Sequence, residues 1–228
     1  MSSEDPVRVG LTALFITALV VAQVTASKLL AFGLPFSLPV AGEALVLPGA
    51  ALAYALTFFA SDCYAELYGR RAATIVVNVG FAMNFVLLAL VWSTILAPGL
   101  PPAAQPVDPA AFRSVLAAST GIVVASLVAY VVSQNLDVFL FHALRDATDG
   151  EMLWLRNVGS TATSQLVDTV IFIGIGFVAF QGVPLSGALS LVVGQYILKL
   201  LIAVVDTPLV YAVVRVARRD SQSRPAGT

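Results

Sequence analysis

Residues 133–172 read SQNLDVFLFHALRDATDGEMLWLRNVGSTATSQLVDTVIF and contain the polar pattern Ser-Gln-x-x-Asp twice. The first copy places Gln134 and Asp137 in one long apolar run, and the second places Gln165 and Asp168 in the next. Residues three apart share a face of a helix, so each copy sets a carboxamide beside a carboxylate. If the two runs form antiparallel neighbours, the two copies lie at similar depth and can bind a polar ligand together.

The composition is typical of a membrane protein. Hydrophobic residues make up 59% of the chain and charged residues 11%, whereas a soluble domain has roughly 25% charged residues. The net charge of -1 gives no attraction toward nucleic acid. Cys63 is the lone cysteine, which excludes an internal disulfide framework and a cysteine-based metal site.

Several apolar runs are longer than the roughly 20 residues that cross a bilayer. They predict an all-α, polytopic membrane protein, a bundle of six transmembrane helices. The spans are expected at about residues 8–32, 48–68, 72–97, 114–144, 157–180 and 185–214. Prolines punctuate residues 35–48, which predicts a short external hairpin or loop between the first two spans.

The arginines predict the orientation. In the six-span arrangement, Arg8, Arg70, Arg145 and the C-terminal cluster fall on one side, while Arg113 falls on the other. The positive-inside rule therefore puts both termini in the cytoplasm of a protein of the plasma (inner) membrane. Residues 1–217 are expected to form the transmembrane domain, and residues 218–228 a disordered cytoplasmic tail.

Ionisable side chains inside apolar spans are the strongest functional signal. They are costly in lipid, so they turn inward and mark pathways or binding sites. Asp137, Asp168 and Lys199, together with the two glutamines, favour a polar cavity near the middle of the membrane. Asp62 and Glu66 lie one turn apart beside Arg70, where a salt-bridge cluster at the membrane surface explains them equally well. Interhelical hydrogen bonds are expected for Asn78 and Asn84.

This set of groups suits a guanine-like base. Such a base presents adjacent N–H donors, which need a carboxylate, and a carbonyl, which needs an amide or ammonium donor. An amino acid or a cationic vitamin would use the same groups, so the chemistry alone does not select a purine. Aromatic rings for stacking are available at Tyr64, Phe139, Phe141, Trp154 and Tyr196.

Three motifs together resemble the queuosine precursor transporter family, formerly grouped as vitamin uptake transporters. They are SDCYAELYGRRAA, SQNLDVFLFHALR and LWLRNVGSTATSQLVDTVIF, in that order along the chain. The resemblance implies a six-helix inner-membrane carrier that imports 7-deazaguanines, such as 7-cyano-7-deazaguanine, for queuosine or archaeosine in transfer RNA. It covers nearly the whole chain.

The resemblance extends to individual positions. The family's acidic-Tyr-Gly motif matches Asp62, Glu66, Tyr68 and Gly69, and its Gln-x-x-Asp motif matches Gln134 and Asp137. Its longer motif in the fifth helix matches Arg156, Asn157, Ser160, Thr161, Ser164, Gln165, Asp168 and Thr169. The predicted substrate-binding residues are therefore Gln134, Asp137, Gln165, Asp168, Lys199, Asn157, Asp62 and Glu66.

Two classes of intramembrane enzyme also use polar residues inside apolar helices. An intramembrane aspartyl protease would need a Gly-x-Gly-Asp context, and a zinc protease a His-Glu-x-x-His motif; neither occurs in the sequence. The protein is thus predicted not to be an enzyme and to use no cofactor or metal. A substrate-binding subunit that needs an energising partner, and a general purine or vitamin carrier, stay open as alternatives. Gly174-x-Gly176 is compatible with a homodimer. The expected partners are a small 7-deazapurine and the lipid bilayer, without nucleic acid.

Overall fold

The computed structural model describes residues 5–149 and 152–223, without the side chains of residues 153–157 and 218–223. The described chain is mostly helical, with one β-hairpin. The elements in order are α1 (Pro6–Thr25), β1 (Leu29–Leu38), β2 (Gly42–Pro48), α2 (Ala51–Tyr68), α3 (Arg70–Leu96), a short 3-10 turn (Pro102–Ala104), α4 (Pro109–Ala147), α5 (Leu153–Ile173) with a π-helical extension (Gly174–Ala179), and α6 (Leu185–Ser223).

Two of the helices begin with the same Asp-Pro pair. Asp5 caps α1 by accepting a hydrogen bond from the backbone N–H of Val7, and Asp108 caps α4 by accepting one from Ala111. The following proline has no N–H to leave unpaired, and its fixed φ suits the first helical position. These pairs set the start of both helices.

The prediction of an all-α multi-pass membrane protein is confirmed at that level. Five helices of the described chain are long and apolar enough to cross a membrane: α1, α3, α4, α5 with its extension, and α6. The 18-residue α2 is not among them, since it carries Asp62 and Glu66 within a short length. A complete set of six crossings and cytoplasmic termini stay predictions.

The first span is shorter than expected. α1 ends at Thr25, and residues 29–32, which were expected to continue it, belong to β1. A short apolar run is compatible with helix or strand, and here Gly33 and Pro35 follow it and favour the strand. The strands pair antiparallel, with Leu29 opposite Pro48, which confirms the hairpin. At the other end of the chain, residues 218–223 are helical, because α6 continues to Ser223.

The chain divides into two compact units. The first, called unit 1, comprises residues 5–28, 49–99 and 198–223 of the described chain. Its core is built where α1 packs against α2 and α3, around Phe15, Leu19, Tyr64 and Val76, with Val210 of α6 against it. Gly80 permits the close approach of α3 to α1, because an added Cβ would lie 2.6 Å from Cε1 of Phe15.

Unit 2 comprises residues 29–48, 100–149 and 152–197 of the described chain. Its main feature is the antiparallel packing of α4 against α5 and the π-helical extension. Gly121 packs against the Phe180 ring, and a Cβ on Gly176 would lie 3.3 Å from Cβ of Ala125. Going from Gly121 to Ala125 along α4 thus corresponds to going back from Phe180 to Gly176 along the partner, as antiparallel packing requires.

The first part of α6 completes unit 2 by packing on the hairpin. Gly194 faces the backbone carbonyl of Val46 at a distance that leaves no room for a side chain. The Ser190 hydroxyl donates to the carbonyl of Val40, which has a φ of 71° in the turn between the strands.

Candidate functional site

Two crossed hydrogen bonds join α4 to α5 in unit 2. The Ser133 hydroxyl donates to Oδ1 of Asp168 at 3.2 Å, and the Ser164 hydroxyl donates to Oδ1 of Asp137 at 3.1 Å. Each serine comes from one copy of the Ser-Gln-x-x-Asp pattern, and its acceptor comes from the other copy. These four residues are called the crossed Ser–Asp site. They confirm that the two copies lie level on antiparallel neighbours.

The spacing of the pattern explains this geometry. Serine and aspartate are four residues apart in each copy, so they lie on one stripe of their helix. When two such stripes meet in antiparallel order, the serine of each faces the aspartate of the other. The result is a local two-fold relationship between the copies, of the kind that inverted repeats produce in carriers.

Each serine hydroxyl has a second acceptor within reach. Ser133 Oγ lies 3.2 Å from the carbonyl oxygen of Tyr130, and Ser164 Oγ lies 3.1 Å from that of Thr161. A hydroxyl has a single proton to donate. The serine hydroxyl can therefore donate its hydrogen bond either to the aspartate across the interface or to the carbonyl of its own helix.

In the crossed Ser–Asp site the serines are more deeply buried than the aspartates. The two serines are buried, with 4% and 3% of their surface exposed, while Asp137 and Asp168 are partly buried. A carboxylate can accept about four hydrogen bonds, and one serine supplies only one. The carboxylates are thus anchored by serines and are still partly accessible, as a ligand-binding acid must be.

Tyr196 of α6 adds an aromatic ring beside α5 in the same unit. Its hydroxyl donates to the carbonyl of Ala162 at 3.2 Å. Gln165 follows Ala162 by three residues and so shares that side of α5. Gln165 is partly buried, and its backbone carbonyl accepts from the buried Thr169 hydroxyl. The Tyr196 hydroxyl therefore contacts the side of α5 that carries Gln165.

The predicted glutamines differ in environment. Gln165 is partly buried, but Gln134 is exposed. The face of α4 that meets α5 is the stripe of Ser133 and Asp137, and Gln134 lies about 100° around the helix from Ser133. Gln134 is thus not gathered into the crossed Ser–Asp site.

The remaining predicted residues lie elsewhere in the chain. Asp62, Glu66 and Lys199 belong to unit 1, where Lys199 is buried with 8% of its surface exposed and the two acids are exposed. The side chain of Asn157 lies outside the described residues. The structure therefore brings together Asp137, Asp168 and Gln165 from the predicted set.

Sequence reasoning missed the role of the two serines. They were read only as part of the repeated pattern, although their position four residues before each aspartate signals a shared helix stripe. Asp206 of unit 1 was also left out of the predicted site. It is buried, with 6% of its surface exposed, and lies near enough to Asp62 for the two carboxyl groups to interact electrostatically.

Unit 1 also ties its helix ends together through polar contacts. The Arg8 guanidinium donates from Nε to the Tyr64 hydroxyl at 2.8 Å and lies over the Tyr68 ring. The Tyr68 hydroxyl donates to Asp5. These contacts hold the start of α1 beside the end of α2, in the region that carries Glu66.

Comparison with known proteins gives the family. A family model described as "Putative vitamin uptake transporter" matches residues 48–213. A curated protein of Bacillus subtilis (strain 168), named "Probable queuosine precursor transporter", is 31% identical over 171 residues, which are 75% of this chain and 72% of the relative. No solved structure matches. The match includes α4 and α5 with both polar copies, and the chain belongs to the vitamin uptake transporter family, as a multi-pass membrane transporter and not an enzyme.

Proposed function

We propose that this protein imports 7-deazaguanine precursors of queuosine, such as 7-cyano-7-deazaguanine, across the plasma membrane and binds the base at the crossed Ser–Asp site. The observation that carries the proposal is the pair of serine–aspartate hydrogen bonds between α4 and α5. The substrate class comes from the similarity to a relative named as a queuosine precursor transporter.

The aspartates supply what the base requires. A 7-deazaguanine carries a ring N–H next to an exocyclic amine, and a carboxylate can accept from both donors at once. Hydrogen bonds with a charged acceptor are roughly twice as strong as neutral ones. Asp137 and Asp168 are partly buried and face each other's helix, so either can present an oxygen pair to this edge of the base.

The serines make the site reversible. Without substrate, each hydroxyl donates to the aspartate across the interface. When the base donates its hydrogen bonds to the carboxylate, the serine hydroxyl rotates and donates to the carbonyl of Tyr130 or Thr161 instead. That carbonyl already lies within hydrogen-bonding distance. No buried donor is left without a partner in either state, which keeps the cost of binding and release low.

Other groups complete the recognition of the base. The Gln165 carboxamide can donate to the ring carbonyl, and the Tyr196 ring offers a flat face for stacking. Gln134, Asn157, Lys199, Asp62 and Glu66 stay predicted substrate residues, with Lys199 as a second donor for the carbonyl. The carrier works by alternating access, in which a polar site near the middle of the membrane opens to one side at a time.

Uptake by the purified chain in liposomes tests the proposal. Labelled 7-cyano-7-deazaguanine is expected to accumulate inside, and unlabelled 7-aminomethyl-7-deazaguanine to compete. Equal competition by guanine would point to a general purine carrier. Binding without uptake would point to a capture subunit that needs an energising partner. Neither binding nor uptake of any 7-deazaguanine would overturn the proposal.

A further inference from the structure

Two carboxamides in unit 1 are buried, and three of their polar atoms form no hydrogen bond within the described chain. Gln23 on α1 has 3% of its surface exposed and Asn84 on α3 has none. Within the described part of the chain, Oε1 of Gln23 and both Oδ1 and Nδ2 of Asn84 are buried and accept or donate no hydrogen bond. The prediction that Asn84 forms an interhelical hydrogen bond is therefore wrong.

Both side chains lie beyond the contact of α1 with α3, toward the C-terminal ends of the two helices. A Cβ on Gly80 would lie 2.6 Å from Cε1 of Phe15 and 3.1 Å from Cδ2 of Leu19, so the helices touch there. Gln23 follows Leu19 by four residues, and Asn84 follows Gly80 by four. Each is one helical turn beyond the contact, on the same stripe of its helix.

The two helices run in the same direction, so both turns lead toward the same end of the unit. Asp5, just before α1, accepts a hydrogen bond from Tyr68, just before α3. Both helices thus start at one end of the unit. Gln23 and Asn84, called the amide pair, consequently lie within about one helical turn of each other along the α1–α3 interface.

Burial alone does not leave a polar group of unit 1 without a partner, although Oδ2 of Asp206 also forms no hydrogen bond within the described chain. The buried Thr57 hydroxyl donates to the carbonyl of Tyr54 at 2.7 Å, within its own helix. A carboxamide has two donor and two acceptor positions, which a helix backbone does not supply in this way. Because an unpartnered polar group in an enclosed site costs free energy, a molecule that supplies hydrogen bonds to the amide pair would stabilise it.

We infer that the amide pair is a second binding station that recognises the ring edge of the same 7-deazaguanine bases, an inference that rests on the proposed function. A carboxamide pairs best with an edge that has an acceptor next to an N–H donor, as in the pairing of Asn or Gln with a base edge. In a free 7-deazaguanine, ring nitrogen N3 lies next to the N9–H and forms such an edge. A charged ligand would need an opposite charge, which neither carboxamide provides.

Liposome uptake of two probes tests the inference. The probes are 7-cyano-7-deazaguanine and its N9-methyl derivative, which lacks the N9–H donor. The wild type is expected to take up the N9-methyl form with about tenfold lower efficiency, the effect of losing one hydrogen bond to a buried partner. Asn84→Leu and Gln23→Leu are each expected to lower uptake of the unmethylated base about tenfold and to treat both probes alike.

The double variant and a matched control sharpen the test. Because both amides bind one edge, the double variant Gln23→Leu/Asn84→Leu is expected to be little worse than either single one. Thr57→Val, which changes a satisfied buried group of the same unit, is expected to transport as the wild type does. If Asn84→Leu does not reach the membrane, Asn84→Ser replaces it and is expected to show the same loss of discrimination.

The experiment distinguishes a failure of the inference from a failure of the proposed function. Variants that fold, transport normally and still discriminate against the N9-methyl probe would overturn the inference alone, and would show that water satisfies the amide pair. A wild type that transports no 7-deazaguanine would overturn the proposed function and the inference together.

Discussion

The hydroxyl of Ser133 on α4 lies 3.2 Å from Oδ1 of Asp168 on α5. Ser164 and Asp137 repeat this relationship in the opposite direction at 3.1 Å. Two helices that hold each other through exchanged serine–aspartate contacts place two acids level with one another in a largely apolar protein. The predictions below concern that arrangement and the packing that supports it.

Removal of the serine hydroxyls separates stability from binding. Ser133→Ala and Ser164→Ala each remove one hydrogen bond between helices, which in membrane proteins averages about 0.6 kcal/mol. Each variant is expected to melt at a slightly lower temperature, while its dissociation constant for 7-cyano-7-deazaguanine changes by less than about threefold. Thermal melting and calorimetry on the same sample check this. A loss of binding as large as that of an aspartate variant would contradict the role of the serines as replaceable donors.

Substitutions of the two glutamines are expected to differ in their effect on uptake. Gln165→Leu removes a partly buried carboxamide near Tyr196 and is expected to raise the KM for uptake about tenfold. Gln134→Leu changes an exposed side chain and is expected to leave KM within about twofold of the wild type. Uptake kinetics of the two variants in liposomes provide the measurement. A larger effect at Gln134 would place the ligand on the other side of α4.

Cysteine crosslinking tests the register of α4 and α5. In a Cys63→Ala background, Ala125→Cys with Gly176→Cys is expected to form a disulfide on oxidation, because the Cβ atoms are close to the roughly 3.5–4.5 Å that the bond requires. Val124→Cys with Gly176→Cys is the control, since Val124 points away and is exposed. Proteolysis between the helices followed by electrophoresis detects the link. A crosslink in the control pair alone would contradict the register.

Gly194 is expected to be sensitive to substitution. Its Cβ position is filled by the backbone carbonyl of Val46, and a backbone yields less readily than a flexible side chain. Gly194→Ala is expected to destabilise the protein by about 1–3 kcal/mol. Gly174→Ala, where the added methyl meets nothing within 4 Å, is expected to be neutral or slightly stabilising. Comparison of melting temperatures decides, and equal values would contradict the packing of α6 on the hairpin.

Much of the architecture could be predicted from the sequence because apolar length and punctuation determine it. The hairpin lies where prolines interrupt the apolar runs. The expected starts of the first and fourth spans, at about residues 8 and 114, fall after the observed starts at Pro6 and Pro109, because apolar length alone does not detect the Asp-Pro caps. The level placement of the two polar copies follows from their position on either side of a short connector. The end of α1 was missed because the apolar residues 29–32 fit a helix or a strand equally well.

The inward faces of the helices could not be predicted. In a soluble protein the buried stripe is apolar and the rest is polar, but in a membrane both the interior and the lipid surface are apolar. The sequence therefore favoured the stripe of Gln134 and Asp137, whereas Ser133 and Asp137 face α5. Gly176 is likewise used within the chain, against Ala125, and leaves only Gly174 open for the predicted homodimer.

The most direct test of the crossed Ser–Asp site is the dissociation constant of 7-cyano-7-deazaguanine, measured by calorimetry on purified protein. Asp137→Asn and Asp168→Asn are each expected to weaken binding at least about 30-fold, since a charge-assisted hydrogen bond is worth about 2 kcal/mol. Asp146→Asn, an exposed site on α4, is expected to bind as the wild type does. Normal binding by both Asp137→Asn and Asp168→Asn, with unchanged melting temperatures, would contradict the account.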